Sequence, residues 1–181
     1  MYDLITIDDI RKRVKQFDGD INLLSVGANE IIFEHNIRIN CFYCGRYNNN
    51  WKCPPRIPDV NYKIVMQEFE NIVFVYKTFY PTSGTEDNTR LDSTNHIHRC
   101  LLDLEKFLFE NSSSNSLSFI GGSCKLCKTG CGKEKCNNPY LARIPVEGTG
   151  INVIKTLAKK NVNILFPSLN EMKRVGLLLW N

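Results

Sequence analysis

Four thiols fall within thirteen residues in the segment Cys124-Lys-Leu-Cys127-Lys-Thr-Gly-Cys131-Gly-Lys-Glu-Lys-Cys136. A packed core has little use for four cysteines in one polar, lysine-rich loop. Thiolates gathered around a soft metal explain such crowding directly. A second group lies upstream, Cys41-Phe-Tyr-Cys44 followed by Cys53-Pro54-Pro55, so seven of the eight cysteines stand in two clusters. The pattern points first of all to metal binding.

The main loop is spaced C-x2-C-x3-C-x4-C. This is close to the ferredoxin pattern for iron–sulfur clusters, with one residue inserted before the third thiol and Pro139 placed three residues after the fourth. Gly121 and Gly122 precede the loop and can bring main-chain N–H groups near sulfur, which tunes a cluster's potential. Lys125, Lys128, Lys133 and Lys135 are opposed only by Glu134, and are expected to lower the thiol pKa values and offset an anionic centre. Zinc is the rival ion. It would use Cys124, Cys127, Cys131 and Cys136, or pair Cys41 and Cys44 with Cys124 and Cys127 in the manner of a zinc ribbon. Cys41, Cys44 and Cys53 offer three ligands, which leaves one position open for reaction, unless both groups converge on one metal.

The other chemistry-bearing residues carry weaker signals. Cys100 falls beside a buried helical stripe and reads as a core residue. His96, one helical turn from it, makes a His–Cys ligand pair conceivable. His98 reads as a surface or satisfied side chain, and His35 has no partner in sequence. Arg143 is expected to pair with Glu147, tying the cysteine loop to the last helix. Gly148 and Gly150 offer a weak anion cradle. Tyr43, Tyr47 and Trp51 interleave with Arg46, Lys52 and Arg56, the composition of a stacking platform for single strands, although aromatics beside cysteines more often shield a metal.

The elements that must position these residues follow from length and pattern. A chain of 181 residues suggests one domain spanning 1–181. Its apolar share of 43% is ordinary for a globular protein, and a net charge of +4 permits acidic partners without demanding them. No signal peptide or membrane-length apolar run is visible. The thiols are therefore expected to be reduced, in a cytoplasm, rather than paired as disulfides.

A short charged helix opens the chain over 8–14. Residues 23–33 read as one strand or a hairpin, and 36–58 as an ordered, irregular loop. Pro58-Asp59 looks like the entry to a helix carrying Tyr62, Val65, Met66 and Phe69. The continuous apolar run Ile72–Tyr76 marks a strand covered on both faces. A longer helix over 92–110 has a buried stripe of Ile97, Leu101, Leu104 and Leu108. Leu117–Ile120 is a strand that runs into the glycine pair and the cysteine loop. A helix over 150–160 places Ile151, Ile154, Leu157 and Ala158 on one side, and 162–166 and 175–180 are the last strand candidates. Strands and helices alternate, so the expected fold is α/β, with a mixed or mostly parallel sheet, helices packed on it and cysteine-rich metal-binding loops. Ile72–Tyr76, the long helix and Leu117–Ile120 should form a β-α-β unit in one sheet, with the cysteine loop at the C-terminal end of the second strand.

The chain resembles an uncharacterised family of predicted metal-binding proteins, the domain of unknown function 2284. The matching features are Cys41-x2-Cys44-x2-Tyr47, Trp51-x-Cys53-Pro54-Pro55, Gly121-Gly122-x-Cys124-x2-Cys127, Cys136-x2-Pro139, Arg143-x3-Glu147-x2-Gly150 and the Gly176-Leu-Leu-Leu ending. The resemblance implies metal binding, with an iron–sulfur cluster as the favoured centre, and carries no reaction with it. Two functional classes follow. One is a redox protein in which a 4Fe-4S cluster carries electrons to or from a partner protein. The other is a structural zinc module that recognises a nucleic acid or a protein.

Overall fold

The computed structural model describes residues 4–81, 84, 86–111, 115–165 and 170–181. In chain order its elements are α1 (Ile7–Phe17), β1 (Asn22–Ser25), α2 (His35–Phe42), α3 (Tyr62–Gln67), β2 (Asn71–Phe79), α4 (Glu86–Glu110), β3 (Ser116–Ile120), β4 (Ile144–Pro145), α5 (Val153–Ala158) and β5 (Met172–Trp180). The strands make one mixed sheet in the order β1-β2-β5-β3-β4. β5 pairs antiparallel with both β2 and β3, so β2 and β3 run parallel to each other with β5 inserted between them. The expected β-α-β unit is present in this split form, with α4 as its crossover.

Alternation along the two central strands explains their continuous apolar runs. Ile72, Phe74, Val175, Leu177 and Leu179 face a core built with α3, α5 and the segment carrying Ile57. Val73, Val75, Leu178 and Trp180 face the opposite core, which holds Ile10 and Val14 of α1 and Ile97, Leu101, Leu104 and Leu108 of α4. A strand sandwiched between two helical layers has no solvent face to keep polar. Gly176 is required by the closeness of α4, because a Cβ there would lie 2.7 Å from Leu101 Cδ1.

Local signals set the helix starts. Thr6 caps α1 through a reciprocal box with Asp9, and Asn61 and Asn152 cap α3 and α5. Arg13 reaches from α1 to Asp103 of α4 with two hydrogen bonds of 2.7 and 2.5 Å. Asp18 is held at about 2: burial alone would raise it, but Lys77, the Asp20 backbone and His96 together outweigh burial.

Several expectations are corrected. α4 starts at Glu86, not near 92, since Glu86 and Asp87 suit a helix N-terminus despite their polarity. Residues 23–33 hold only the short β1, a 3-10 turn over Ala28–Glu30 and an isolated bridge from Phe33 to Ile151. The 36–58 stretch is not irregular throughout, because α2 occupies its beginning. Its start is pinned by Glu34, whose carboxylate accepts from Asn152 and Lys155 and whose N–H donates to Gly150. On α5 the buried side chains are Val153, Thr156 and Leu157, while Ile154 and Ala158 are exposed. Residues 162–165 form no strand, and Phe166 and Ser112–Ser114 lie outside the described residues.

His98 is wholly buried on α4, with Nε2 placed 2.8 Å from the Leu141 carbonyl and Nδ1 lacking a partner. Burial lowers its pKa below the usual 6.5, with Arg143 acting in the same direction against the Leu141 hydrogen bond and Glu105. The unfolded chain therefore binds more protons at mildly acid pH. The stabilising contribution is complete above the unfolded value of about 6.5 and is lost as pH falls towards the folded value. Urea midpoints of the native protein should drop between pH 7.5 and 5.5, and the drop should be smaller in His98→Gln. Equal drops would show that another group governs the acid limb.

Candidate metal centre

The cysteine loop leaves the C-terminal end of β3 at a fixed point. Gly121 donates to the Val175 carbonyl at 2.8 Å, so close that a Cβ at 121 would lie 2.5 Å from that oxygen. Gly122 follows with φ of 76°, a left-handed conformation suited to glycine, and its N–H donates to the Glu147 carboxylate at 3.1 Å. The loop returns through a turn in which Leu141 and Ala142 donate to Asn138, then enters β4, parallel to β3. Both ends of the loop are thus anchored on the sheet.

Arg143 does not pair with Glu147 as expected. Its guanidinium grips the carboxylate of Glu105 on α4, while Glu147 is engaged by Gly122. Arg143 points to the helix that crosses behind the loop, a partner remote in sequence and so not readable from spacing.

The upstream cysteines are set in consecutive tight turns. Cys41 lies in the last turn of α2, Cys44 donates its N–H to Cys41, and Cys53 donates to Asn50. The Pro54–Pro55 bond is cis. Two side chains join this segment to the main loop. Asn50, only 4% exposed, donates from Nδ2 to the Cys124 carbonyl at 3.0 Å, and Trp51 Nε1 donates to the Gly132 carbonyl at 2.7 Å. Asn50 was hidden in a run of three asparagines, where only its burial distinguishes it. Arg56 stacks 4.1 Å above the Trp51 ring and bonds Asn48, so two members of the aromatic-and-basic set already satisfy each other.

The braces bring the two groups together. The Cys53 thiol is raised to about 12 by burial first, and then by Cys41, Cys44, Cys124 and Cys131. Cys124 is raised by burial and by Cys131, Cys136 and Cys127. Cys41 is raised by burial, Glu147 and Cys44. The expected lowering by lysines therefore does not hold for Cys124. Lys128, Lys133 and Lys135 are exposed, and burial dominates at the thiols. Cys127 Sγ receives an Nδ2–H from Asn138 at 3.1 Å, the kind of donor that supports a thiolate. A cavity of about 450 Å³ adjoins the centre, walled by Cys41, Cys44, Cys53, Arg46, Gly122 and Glu147.

All eight cysteines are free. Cys100 is wholly buried in the α4 core, where burial lifts its thiol to about 12. His96 sits 2.6 Å from Asp18 and makes tilted and edge-on ring contacts with Phe17 and Phe79, so it is not paired with Cys100. His35 is exposed at the start of α2. Gly148 is buried beside Ile57 and Pro54, within ordinary packing distance of both. Among the described residues, no three histidine, cysteine, aspartate or glutamate side chains are arranged to hold an ion. The donor set is nonetheless of the right chemistry for a soft metal: soft thiols on a glycine-rich loop, with an amide donor at one sulfur.

The sheet and its two thiol-bearing loops define a cysteine-rich α/β protein. The family model described as predicted metal-binding protein (DUF2284) matches residues 25–180, and the chain belongs to that family. Neither the curated proteins nor the solved structures contain a match.

Exposure predicts an order of reactivity. In metal-free protein, iodoacetamide should label the exposed Cys44 first, and the buried Cys53 and Cys100 last. Peptide mapping of a time course reads this directly. Cys53 labelled as fast as Cys44 would contradict the burial seen here.

Proposed function

We propose that this is an iron–sulfur protein of the reducing cytoplasm that passes electrons to or from a partner protein. Cys124, Cys127, Cys131 and Cys136 would hold a 4Fe-4S cluster, which supplies one-electron chemistry when bound. The observation that carries this reading is the bracing of the three-cysteine segment against the four-cysteine loop by Asn50 and Trp51, with every thiol free, in a member of a metal-binding family.

The chain's own residues have definable tasks. Asn138 donates to Cys127, and the backbone and Trp51 contacts hold the loop shape. Cys41, Cys44 and Cys53 line the adjoining cavity and offer a second, open set of ligands. No helix among the described residues is long and apolar enough to cross a membrane. Protein purified without oxygen should be brown, with absorbance near about 400 nm that bleaches on reduction. A colourless protein with stoichiometric zinc would replace this reading with that of a structural module.

A further inference from the structure

Helix α2 is eight residues long and none of them is buried, although Ile37, Ile39 and Phe42 are apolar. A helix this short is marginal without an apolar face packed against something. Its faces are used differently. Ile37, Asn40 and Cys41 line the thiol cavity, together with Cys44, Arg46 and Tyr47. Ile39, Phe42 and Tyr43 stand at positions i, i+3 and i+4 on a second face, which is 57%, 62% and 80% exposed. The Phe42 ring meets Tyr43 and Tyr47 edge-on, with centroids 5.4 and 5.1 Å apart, so these side chains make one patch. Single exposed apolar residues need no explanation, but a contiguous aromatic and aliphatic patch marks a docking surface.

The ground around the patch is basic. Residues 36–58 carry Arg38, Arg46, Lys52 and Arg56 and no acid, and residues 121–139 carry Lys125, Lys128, Lys133 and Lys135 against Glu134 alone. The whole chain has 23 basic and 19 acidic residues, so the remainder holds 15 and 18 and is net negative. A chain of contacts joins the two segments. Phe42 meets Tyr47, Asn48 accepts from Arg56 at 3.0 Å, Arg56 lies 4.1 Å above Trp51, and Trp51 donates to Gly132 at 2.7 Å, next to Lys133. Among the described residues, none of these eight cations is in an ion pair. Such a balance selects an acidic partner and steers its approach. The rings favour a protein over a nucleic acid. Phe42 is already packed with two rings and Trp51 is covered by Arg56, so stacking bases would have to displace these contacts. Ile39 adds nothing to stacking, but it suits the apolar centre of a protein interface.

We infer that the Ile39, Phe42 and Tyr43 face of α2, with the cations around it, docks an acidic protein surface that has an apolar centre, and so brings that partner against the thiol cavity. As the landing place of an electron-transfer partner it rests on the iron–sulfur reading; as a binding surface it stands whatever ion the thiols hold. The test uses the full chain purified without oxygen, with metal content measured on the same samples. Binding is measured at low salt to three immobilised polymers: a copolymer of glutamate and tyrosine, polyglutamate, and oligothymidylate. The expected result is saturable binding of the copolymer, about tenfold or more tighter than polyglutamate, and weakened by added sodium chloride. The double variant Ile39→Ser with Tyr43→Ser should lose that preference, and Arg46→Gln should weaken binding of both acidic polymers. All three side chains are exposed, so the variants should fold. Equal binding of the two acidic polymers, a preference unchanged in the double variant, or no saturable binding would overturn the docking face. Tighter binding of oligothymidylate than of the copolymer would also overturn it and assign the surface to nucleic acid. The expected binding by a protein that holds zinc in place of iron would keep the docking face and remove only the electron-transfer reading.

Discussion

Serine in place of Cys124 is expected to reduce metal affinity about tenfold or more and to loosen both cysteine loops. Cys124 links the two cysteine groups. It interacts with Cys127, Cys131 and Cys136 within its loop and with Cys53 of the other. Its side chain packs against the core under α4, and its carbonyl receives the Asn50 amide. A serine hydroxyl keeps the shape but does not ionise as a thiol does, so the soft ligand is lost. Cys100→Ser is the matched control, since it makes the same chemical change inside the α4 core. It should lower stability and leave the metal in place. Metal analysis of the two folded variants reads the difference, and a Cys124→Ser protein with full metal content would contradict the assignment.

Trp180→Ala should produce the largest loss of stability, about 3–5 kcal/mol, without emptying the metal centre. Trp180 is fully buried, packs among α1, α4 and the sheet, and donates from Nε1 to the Ile5 carbonyl at 3.0 Å. It pairs in register with Asn71 and Ser116, the first residues of β2 and β3. The cysteine loop leaves the other end of β3. The variant should therefore unfold at lower urea concentration and, where still folded, keep the native metal stoichiometry. Loss of metal from fully folded Trp180→Ala would mean that scaffold and centre are coupled along the length of the sheet.

Much of this scaffold was legible in the residues. The run at Ile72–Tyr76 announced a doubly covered strand, and the spacing of Ile97, Leu101, Leu104 and Leu108 identified the buried stripe of α4. Cys100 was separable from the other thiols because it falls beside that stripe. The fold class and the family were likewise readable, from alternating periodicities and from cysteine motifs spread along the chain in order.

What escaped was set by contacts remote in sequence. α2 carries Ile37, Ile39 and Cys41 at alternate positions, a pattern that does not suggest a helix, and its start is held by Asn152 and Lys155. The two-residue β4 exists because the chain returns beside β3 after the cysteine loop. Arg143 found Glu105 because the crossover helix passes behind it, and Glu147 was left to Gly122. The role of Asn50 depends on burial between two loops that are far apart in sequence.

The most direct test is a determination of iron, zinc and acid-labile sulfide per chain in protein purified without oxygen. A 4Fe-4S centre requires about four iron and about four sulfide per chain. Zinc in place of iron with no sulfide, or a fully reduced protein that binds neither metal after reconstitution, would contradict the iron–sulfur account.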